Sequence, residues 1–422
     1  MKFTSLEKIN KNVLYIALIL LIFRQGSFSS SSIPNPFEIF FVLIVLLSAV
    51  YVTKDHKFKD LLFSVPRKLL IAGLLLLFSV LLGWSISIFL KHIPFDFNMI
   101  LEFGAFVISL GTFLLVFLYA KNDPLYAKKY FYALLVPVVY ILVILFPSLG
   151  NHLHLVSDQN FLGFTTNRNI IYKILLIPVI FFITRSLFES KNIWLKVLYI
   201  LISAALTDLL FWSGERGALV CVVLGATLVL LIFSFKNFSW KKSFLGGFIV
   251  VMILVFGFAI PPYLGKDMML NRILPQESTG TKVNSSNNSD LSIINVASPV
   301  SHQVMENRSQ FWPVYLKTAI KNPLGFGPLT HMSVYYAPGK YLNFGPHNTY
   351  IEIWIWGGLL GLGSFLYIIW SAFKNLQTRL RLNFNSDTVA LIGILFAMTI
   401  SILVNDNIQL FCFWVILALS CL

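Results

Sequence analysis

The stretch Leu69-Leu-Ile-Ala-Gly-Leu-Leu-Leu-Leu-Phe-Ser-Val-Leu-Leu-Gly-Trp-Ser-Ile-Ser-Ile-Phe-Leu90 carries no charged residue from end to end. As a helix rising 1.5 Å per residue, about 20 such residues cross the roughly 30 Å hydrocarbon core of a bilayer. Comparable apolar runs recur around 12–25, 37–53, 100–120, 130–149, 170–188, 194–212, 217–235, 244–263, 349–373, 388–404 and 407–422. The composition of the 422 residues agrees: 57% are hydrophobic, 15% aromatic and only 12% charged, against about 25% charged in soluble domains. Such a chain cannot hide its apolar content in a water-soluble core, so the sequence predicts an all-α integral membrane protein of about twelve transmembrane helices. The first run, Val13 to Phe23, has no small-residue cleavage site after it and is expected to stay as the first span.

The net charge of +14 does not point to nucleic acid, because Lys and Arg lie in short clusters between apolar runs and form no continuous basic face. Lys2, Lys8 and Lys11 precede the first span, and Lys54, Lys57, Lys59, Arg67 and Lys68 follow the second. Lys121, Lys128 and Lys129 follow the fourth, Arg185, Lys191 and Lys196 surround the sixth and seventh, Lys236, Lys241 and Lys242 follow the eighth, and Lys374, Arg379 and Arg381 follow the tenth. Every second loop is basic, which places those loops and both termini in the cytoplasm. Cys221, Cys412 and Cys421 sit in apolar runs without metal-ligand spacing and read as packing residues.

The chain then divides into residues 1–263 with nine spans, a long outward loop at 264–348, and residues 349–422 with three more spans. A loop of roughly 80 residues usually has a function. Its first half, as in Thr279-Gly-Thr-Lys-Val-Asn-Ser-Ser-Asn-Asn-Ser-Asp290, reads as a polar segment without a packed core. Its second half puts Phe311, Trp312, Tyr315, Leu316, Ala319 and Ile320 on one helical stripe, which predicts an amphipathic helix lying against the membrane surface. Asn322-Pro-Leu-Gly-Phe-Gly-Pro328 ends it in turns.

Several ionisable or polar residues stand where the outer surface meets a helix. Ser213-Gly-Glu-Arg-Gly217 breaks the chain between spans seven and eight and puts Arg216 at an outer helix N-terminus. Backbone N–H groups there favour an anion and a guanidinium adds a bidentate grip on phosphate; the bland alternative is a loop contact with Glu215. Arg308 heads the amphipathic helix, as a phosphate ligand or as a headgroup anchor. In Pro346-His-Asn-Thr-Tyr-Ile-Glu352, His347 is able to take a proton near neutral pH, with Asn348 beside it to help orient the ring; an interfacial histidine is also often just a satisfied polar group. Asn167, Arg168 and Arg24 are further candidates for binding, and Arg24 equally suits snorkelling to the interface.

The Ser-Gly-Glu-Arg-Gly break, the loop with Arg308, Trp312 and Asn322-Pro-Leu-Gly-Phe-Gly, then His347-Asn-Thr-Tyr-Ile-Glu followed by Gly357-Gly-Leu-Leu-Gly361, resemble the O-antigen ligase and polymerase superfamily in wording and order. Gly163-Phe-Thr-Thr-Asn-Arg-Asn169 is similar to that family's segment before its sixth span. Glu215 departs from the small or polar residue expected there. The resemblance implies a metal-independent, cofactor-free inverting glycosyltransferase of GT-C-like architecture in the bacterial inner (cytoplasmic) membrane, with the long loop periplasmic. It implies an undecaprenyl-pyrophosphate-linked glycan as donor, lipid A-core as the ligases' acceptor or another lipid-linked glycan as the polymerases', and membrane lipids around it. By motif, Arg216 and Arg308 match the arginines that hold the donor pyrophosphate, and His347 the histidine that activates the acceptor. A pyrophosphate leaving group needs cations more than a general acid. No Asp-x-Asp pair occurs in an outward loop to hold a metal-bound nucleotide sugar.

The rival outside the enzyme class is a transporter or flippase, which requires charged residues deep in several spans. Lys173 and Asp208 are the few candidates, and both are expected close to the outer surface.

Overall fold

The computed structural model describes residues 5–20, 65–90, 97–136, 168–189, 192–212, 216–237, 239–259, 308–328, 334–337, 340–342, 346–403 and 411–422, with positions 40, 43, 44, 46, 47 and 138 besides. Most of the predicted second span, the later part of the predicted fifth, the start of the long loop, Arg24 and Asn167 lie outside the described residues.

The described chain is a helix bundle. In order come α1 (Ser5–Ile19), α2 (Arg67–Phe89), α3 (Phe97–Asn122), α4 (Pro124–Ala133), α5 (Arg168–Phe188), α6 (Ile193–Trp212), α7 (Arg216–Asn237), α8 (Trp240–Ala259), α9 (Arg308–Lys321), α10 (Thr349–Leu382), α11 (Ser386–Ser401) and α12 (Phe411–Ser420). Among the described residues, Arg67–Phe89, Glu102–Asn122, Gly217–Lys236 and Thr349–Leu382 are long and apolar enough to cross a membrane. An antiparallel pair, β1 (Val334–Ala337) with β2 (Lys340–Leu342), lies between α9 and α10.

Lipid offers no hydrophobic drive to helix association, so close backbone approach through small residues does the joining. α10 lies along α2 in this way: a Cβ on Gly357 would stand 2.5 Å from the Ser79 Oγ, and one on Gly83 would stand 2.5 Å from the Trp356 carbonyl oxygen. α7 meets α11 likewise, where a Cβ on Gly225 would reach Ala397 and one on Gly393 would reach Val229. Aromatic rings fill the centre: Trp414 of α12 packs edge-on against Phe106 and Phe113 of α3 and touches Phe365 of α10. The three cysteines are buried in this packing as free thiols.

The contacts also fix direction. Arg185 at the end of α5 bonds Asp387 (2.5 Å) and Ser386 (3.0 Å) at the start of α11, and Ile180 lies against Gly393 further along. α5 and α11 are therefore antiparallel. Because Gly225 of α7 faces Ala397 and Val229 faces Gly393, α7 is antiparallel to α11 as well and runs alongside α5. The Arg185 end collects other cations: Lys236 over the Phe384 ring at 3.7 Å, Arg379 on the Leu419 carbonyl at 3.0 Å, and Lys11 between Glu7 and Asp123 at 3.1 and 3.7 Å. Arg185 reaches Tyr132 at 3.3 Å, tying α4 to this end.

Candidate functional site

The opposite end holds the residues singled out in the sequence. α11 finishes there, and the Ile402 carbonyl just beyond it accepts the Thr349 amide at 2.9 Å, while Tyr350 donates to the Thr399 carbonyl at 3.1 Å. His347 thus stands beside the last turn of α11. α5 and α7 begin at this end, with Arg168 and Arg216 as their first residues. α9 begins with Arg308 and packs on α10, and one turn along it the Trp312 indole N–H donates to the Pro346 carbonyl at 3.0 Å. The backbone therefore brings Arg168, Arg216, Arg308 and His347 to one end of the bundle. Asn167 and Arg24 lie outside the described residues, so the structure adds nothing about them.

His347 has a left-handed backbone, with φ at +48°, and no other non-glycine described residue does. A non-glycine residue in this region costs about 1–3 kcal/mol and persists where its surroundings over-determine it. Those surroundings are visible. Asn348 is the N-cap of α10, its buried Oδ1 accepting from the Tyr350 amide at 3.0 Å and the Ile351 amide at 3.1 Å. That oxygen serves the helix, a different use from the ring-orienting one expected of it. Glu352, only 3% exposed, lies in the first turn of α10, where a carboxylate suits the positive end of the helix dipole.

The turn-rich text after α9 and the glycine text inside α10 form one device. α10 breaks at Gly358, whose φ is +63° and ψ −161°. In an unbroken helix the Leu359 amide would bond the Ile355 carbonyl. Instead it donates to the Pro323 carbonyl at 2.8 Å, and the Phe326 amide takes its place on Ile355 at 2.6 Å. The Gly327 amide bonds the Trp356 carbonyl at 2.8 Å, and Ser87 of α2 donates to the Phe326 carbonyl at 2.6 Å. Every group freed at the break that these bonds name is thus satisfied within protein, the condition for irregular backbone in a membrane. Side chains are excluded: a Cβ on Gly325 would lie 2.5 Å from the Trp356 oxygen, on Gly327 it would strike the Trp84 backbone, and on Gly358 the Pro323 oxygen.

α9 itself forms where the stripe predicted it, but the stripe faces protein. Tyr315 and Ala319 are fully buried against the bundle, whereas Ile320 is 64% exposed. A tyrosine and an alanine one turn apart let α9 approach α10 closely, so the neighbouring helix takes the face assigned to the membrane surface.

Lys173 and Asp208 lie at matching depth on the antiparallel pair α5 and α6, where Phe182 meets Tyr199, and both are buried. Lys173 is five residues from Arg168 and Asp208 four from Trp212, about 6–8 Å along each helix. Both belong to the His347 end and not to the middle of the spans. Among the described residues no three His, Cys, Asp or Glu side chains are grouped to hold a metal ion.

The sequence reading missed the left-handed backbone of His347, the insertion of residues 322–328 into α10, and the β pair. The first had a partial signal, since Asn before a helical run is a cap. The second had two signals, the glycine texts at 322–328 and 357–361, without anything to join them.

Comparison with known proteins adds two findings. No curated protein matches the chain. Residues 198–366 match the family model described as O-antigen ligase, a span that runs from α6 through Arg216, Arg308, the 322–328 turn and His347 to the glycine break of α10. Over that stretch the chain is similar to the O-antigen ligase family, in the region that holds the motifs for which the resemblance to the O-antigen ligase and polymerase superfamily was drawn.

Proposed function

We infer that the chain is an O-antigen ligase that moves a glycan from undecaprenyl pyrophosphate to lipid A-core at the outer face of a bacterial inner membrane, through about twelve spans of GT-C-like arrangement. The observation that carries this reading is His347, held in a left-handed backbone at the same end of the bundle where the helices headed by Arg168, Arg216 and Arg308 begin.

In the reaction, an acceptor hydroxyl gives its proton to a neutral His347 nitrogen as its oxygen attacks the anomeric carbon. The bond from that carbon to the pyrophosphate oxygen breaks on the opposite face, inverting the centre. The lipid pyrophosphate leaves as an anion, its added charge met by Arg216 and Arg308 and by the helix N-termini that carry them. No covalent enzyme intermediate and no metal enters. Arg168, Asn167, Asn348 and Arg24 stand as candidate contacts to donor or acceptor.

The test is the fate of the glycan in cells lacking the chain. A ligase defect leaves bare lipid A-core while lipid-linked glycan accumulates at the outer face, and the wild-type chain but not His347→Ala restores transfer. General-base assistance contributes about 10²–10⁴-fold, so His347→Gln, which cannot take the proton, fails alike. Lipid A-core that still receives a single repeat would reassign the acceptor to another lipid-linked glycan, making the chain a polymerase. Lipid-linked glycan trapped at the cytoplasmic face would reassign it to transport.

A further inference from the structure

The imidazole of His347 is presented by a backbone that histidine does not choose for itself, so something must hold it there. Four constraints surround the residue. On the C-terminal side the Asn348 cap and the Thr349 amide on Ile402 anchor the chain to α10 and α11. On the N-terminal side the ring of Pro346 limits its own φ, and the indole N–H of Trp312 grips the Pro346 carbonyl at 3.0 Å. That carbonyl and the His347 amide share one planar peptide unit, so a grip on the oxygen sets the plane and with it the φ of His347. We propose that Trp312 is a positioning residue for catalysis: its bond to Pro346 keeps His347 left-handed and aims the imidazole, and the same bond ties Arg308, one turn earlier on α9, to the histidine.

The arrangement is rigid from both sides of Trp312. Tyr315 and Ala319 bury α9 against α10, and beyond the end of α9 the 322–328 segment is bonded into the break of α10. α9 is thereby fixed at two places on α10, at Pro346 before its first turn and at Ile355 to Leu359 in its middle. Without the indole N–H the second attachment survives. The peptide before His347 then loses the bond that sets its plane, and the residue shifts toward the right-handed or extended regions that histidine favours. The imidazole swings away although the fold stays intact.

This inference rests on the reading of His347 as the base, and its test separates the two. Trp312→Phe keeps the ring and removes the donor, and replacement by the benzothienyl analogue, with sulfur where indole has N–H, does so without changing shape. Two quantities are measured for each: glycan transfer by membranes of the native host, which supply their own donor and acceptor, and the ring ¹³C signals of labelled histidines in purified protein. The His347 signal is assigned by its loss in His347→Ala. Misplacement of a reacting group by about 1 Å costs on the order of a hundredfold, so both changes should lower transfer at least about tenfold, shift the His347 signal while leaving the other histidine signals in place, and leave thermal unfolding near that of the wild type. Inactive His347→Ala beside normal transfer in both Trp312 changes would overturn the positioning role alone. Reduced transfer with an unmoved His347 signal would also overturn it, leaving Trp312 a packing residue. Wild-type transfer by His347→Ala would remove the base assignment and the positioning role together.

Discussion

As the proposed base, His347 combines two demands that usually conflict, a side chain chosen for chemistry and a backbone angle that suits glycine. The strain is local, so replacing the residue should separate stability from activity. Glycine takes φ of +48° without steric cost, and although it adds freedom to the unfolded chain, the relief of about 1–3 kcal/mol offsets that. His347→Gly should therefore unfold in detergent at or above the wild-type temperature while transferring no glycan, a pairing expected where a site stores strain. A variant that is both inactive and much less stable would show that the imidazole holds the fold together. At Arg216 and Arg308 the expected outcome is different. Lysine keeps the charge but loses the planar fork that grips two phosphate oxygens at once, so Arg216→Lys and Arg308→Lys should each lower transfer by more than about tenfold, on the order of the 1.4 kcal/mol lost with one charge-assisted bond. Near-normal transfer by both would reduce them to surface anchors.

At the scale of elements, the break in α10 makes a sharp contrast between two of its glycines. Gly358 has φ of +63° and a Cβ there would collide with the Pro323 carbonyl, whereas a Cβ on Gly363 would meet nothing within 4 Å. Gly358→Ala should thus destabilise the protein by more than about 2 kcal/mol and expel the 322–328 segment from the helix. Gly363→Ala should be neutral or stabilise by about 0.5–1 kcal/mol, as alanine does inside a helix. Thermal unfolding and limited proteolysis between α9 and α10 read out both, and equal behaviour of the two variants would contradict the inserted turn. The elements also show what was legible in the sequence. Helix starts near Arg168, Arg216, Thr349 and Ser386 follow from long apolar runs with polar breaks, because a bilayer forces each backbone group into a local helix. The stripe on α9 was legible too, but what covers it was not: periodicity marks an apolar face and says nothing about whether lipid or a neighbouring helix meets it. The union of Pro323–Gly327 with Ile355–Leu359 was illegible for a related reason. Its hydrogen bonds join backbone groups some thirty residues apart, and backbone atoms carry no sequence signature except the glycines that make room for them.

On the scale of the molecule, a set of partnered cations among the described residues marks one end. Arg185, Lys236, Arg379 and Lys11 gather at one end of the bundle with their partners Asp387, Phe384, the Leu419 carbonyl and Glu7, and His347 stands at the other. Since short loops rich in Lys and Arg stay in the cytoplasm, a reporter fused after Lys242 should register the cytoplasm and one inserted near Ser289 the outer side. The same compartment for both would overturn the orientation and the outward site with it. That Arg168, Arg216, Arg308 and His347 belong to one end was readable from the alternation of basic loops, while Arg24 and Asn167 lie outside the described residues. Which of the candidates share that end with His347 in space depended on helix neighbours such as Gly225 with Ala397, which hydropathy does not encode.

The inserted turn has a consequence for how the protein is made. The amides of Phe326 and Gly327 find their acceptors on Ile355 and Trp356, residues that leave the ribosome later and reside in a span still to be integrated. During synthesis the 322–328 segment is therefore made before its partners reach the bilayer, and α9 has nothing to dock on. The break in α10 is equally incomplete when that span enters the translocon, since its own carbonyls at the break await the turn. Neither half matures alone, so the His347 end is assembled in one late step, after α10 has inserted next to α2 and its Ser87. For the glycan transferase proposed above, the site is thus without order until the membrane portion of the chain is in place.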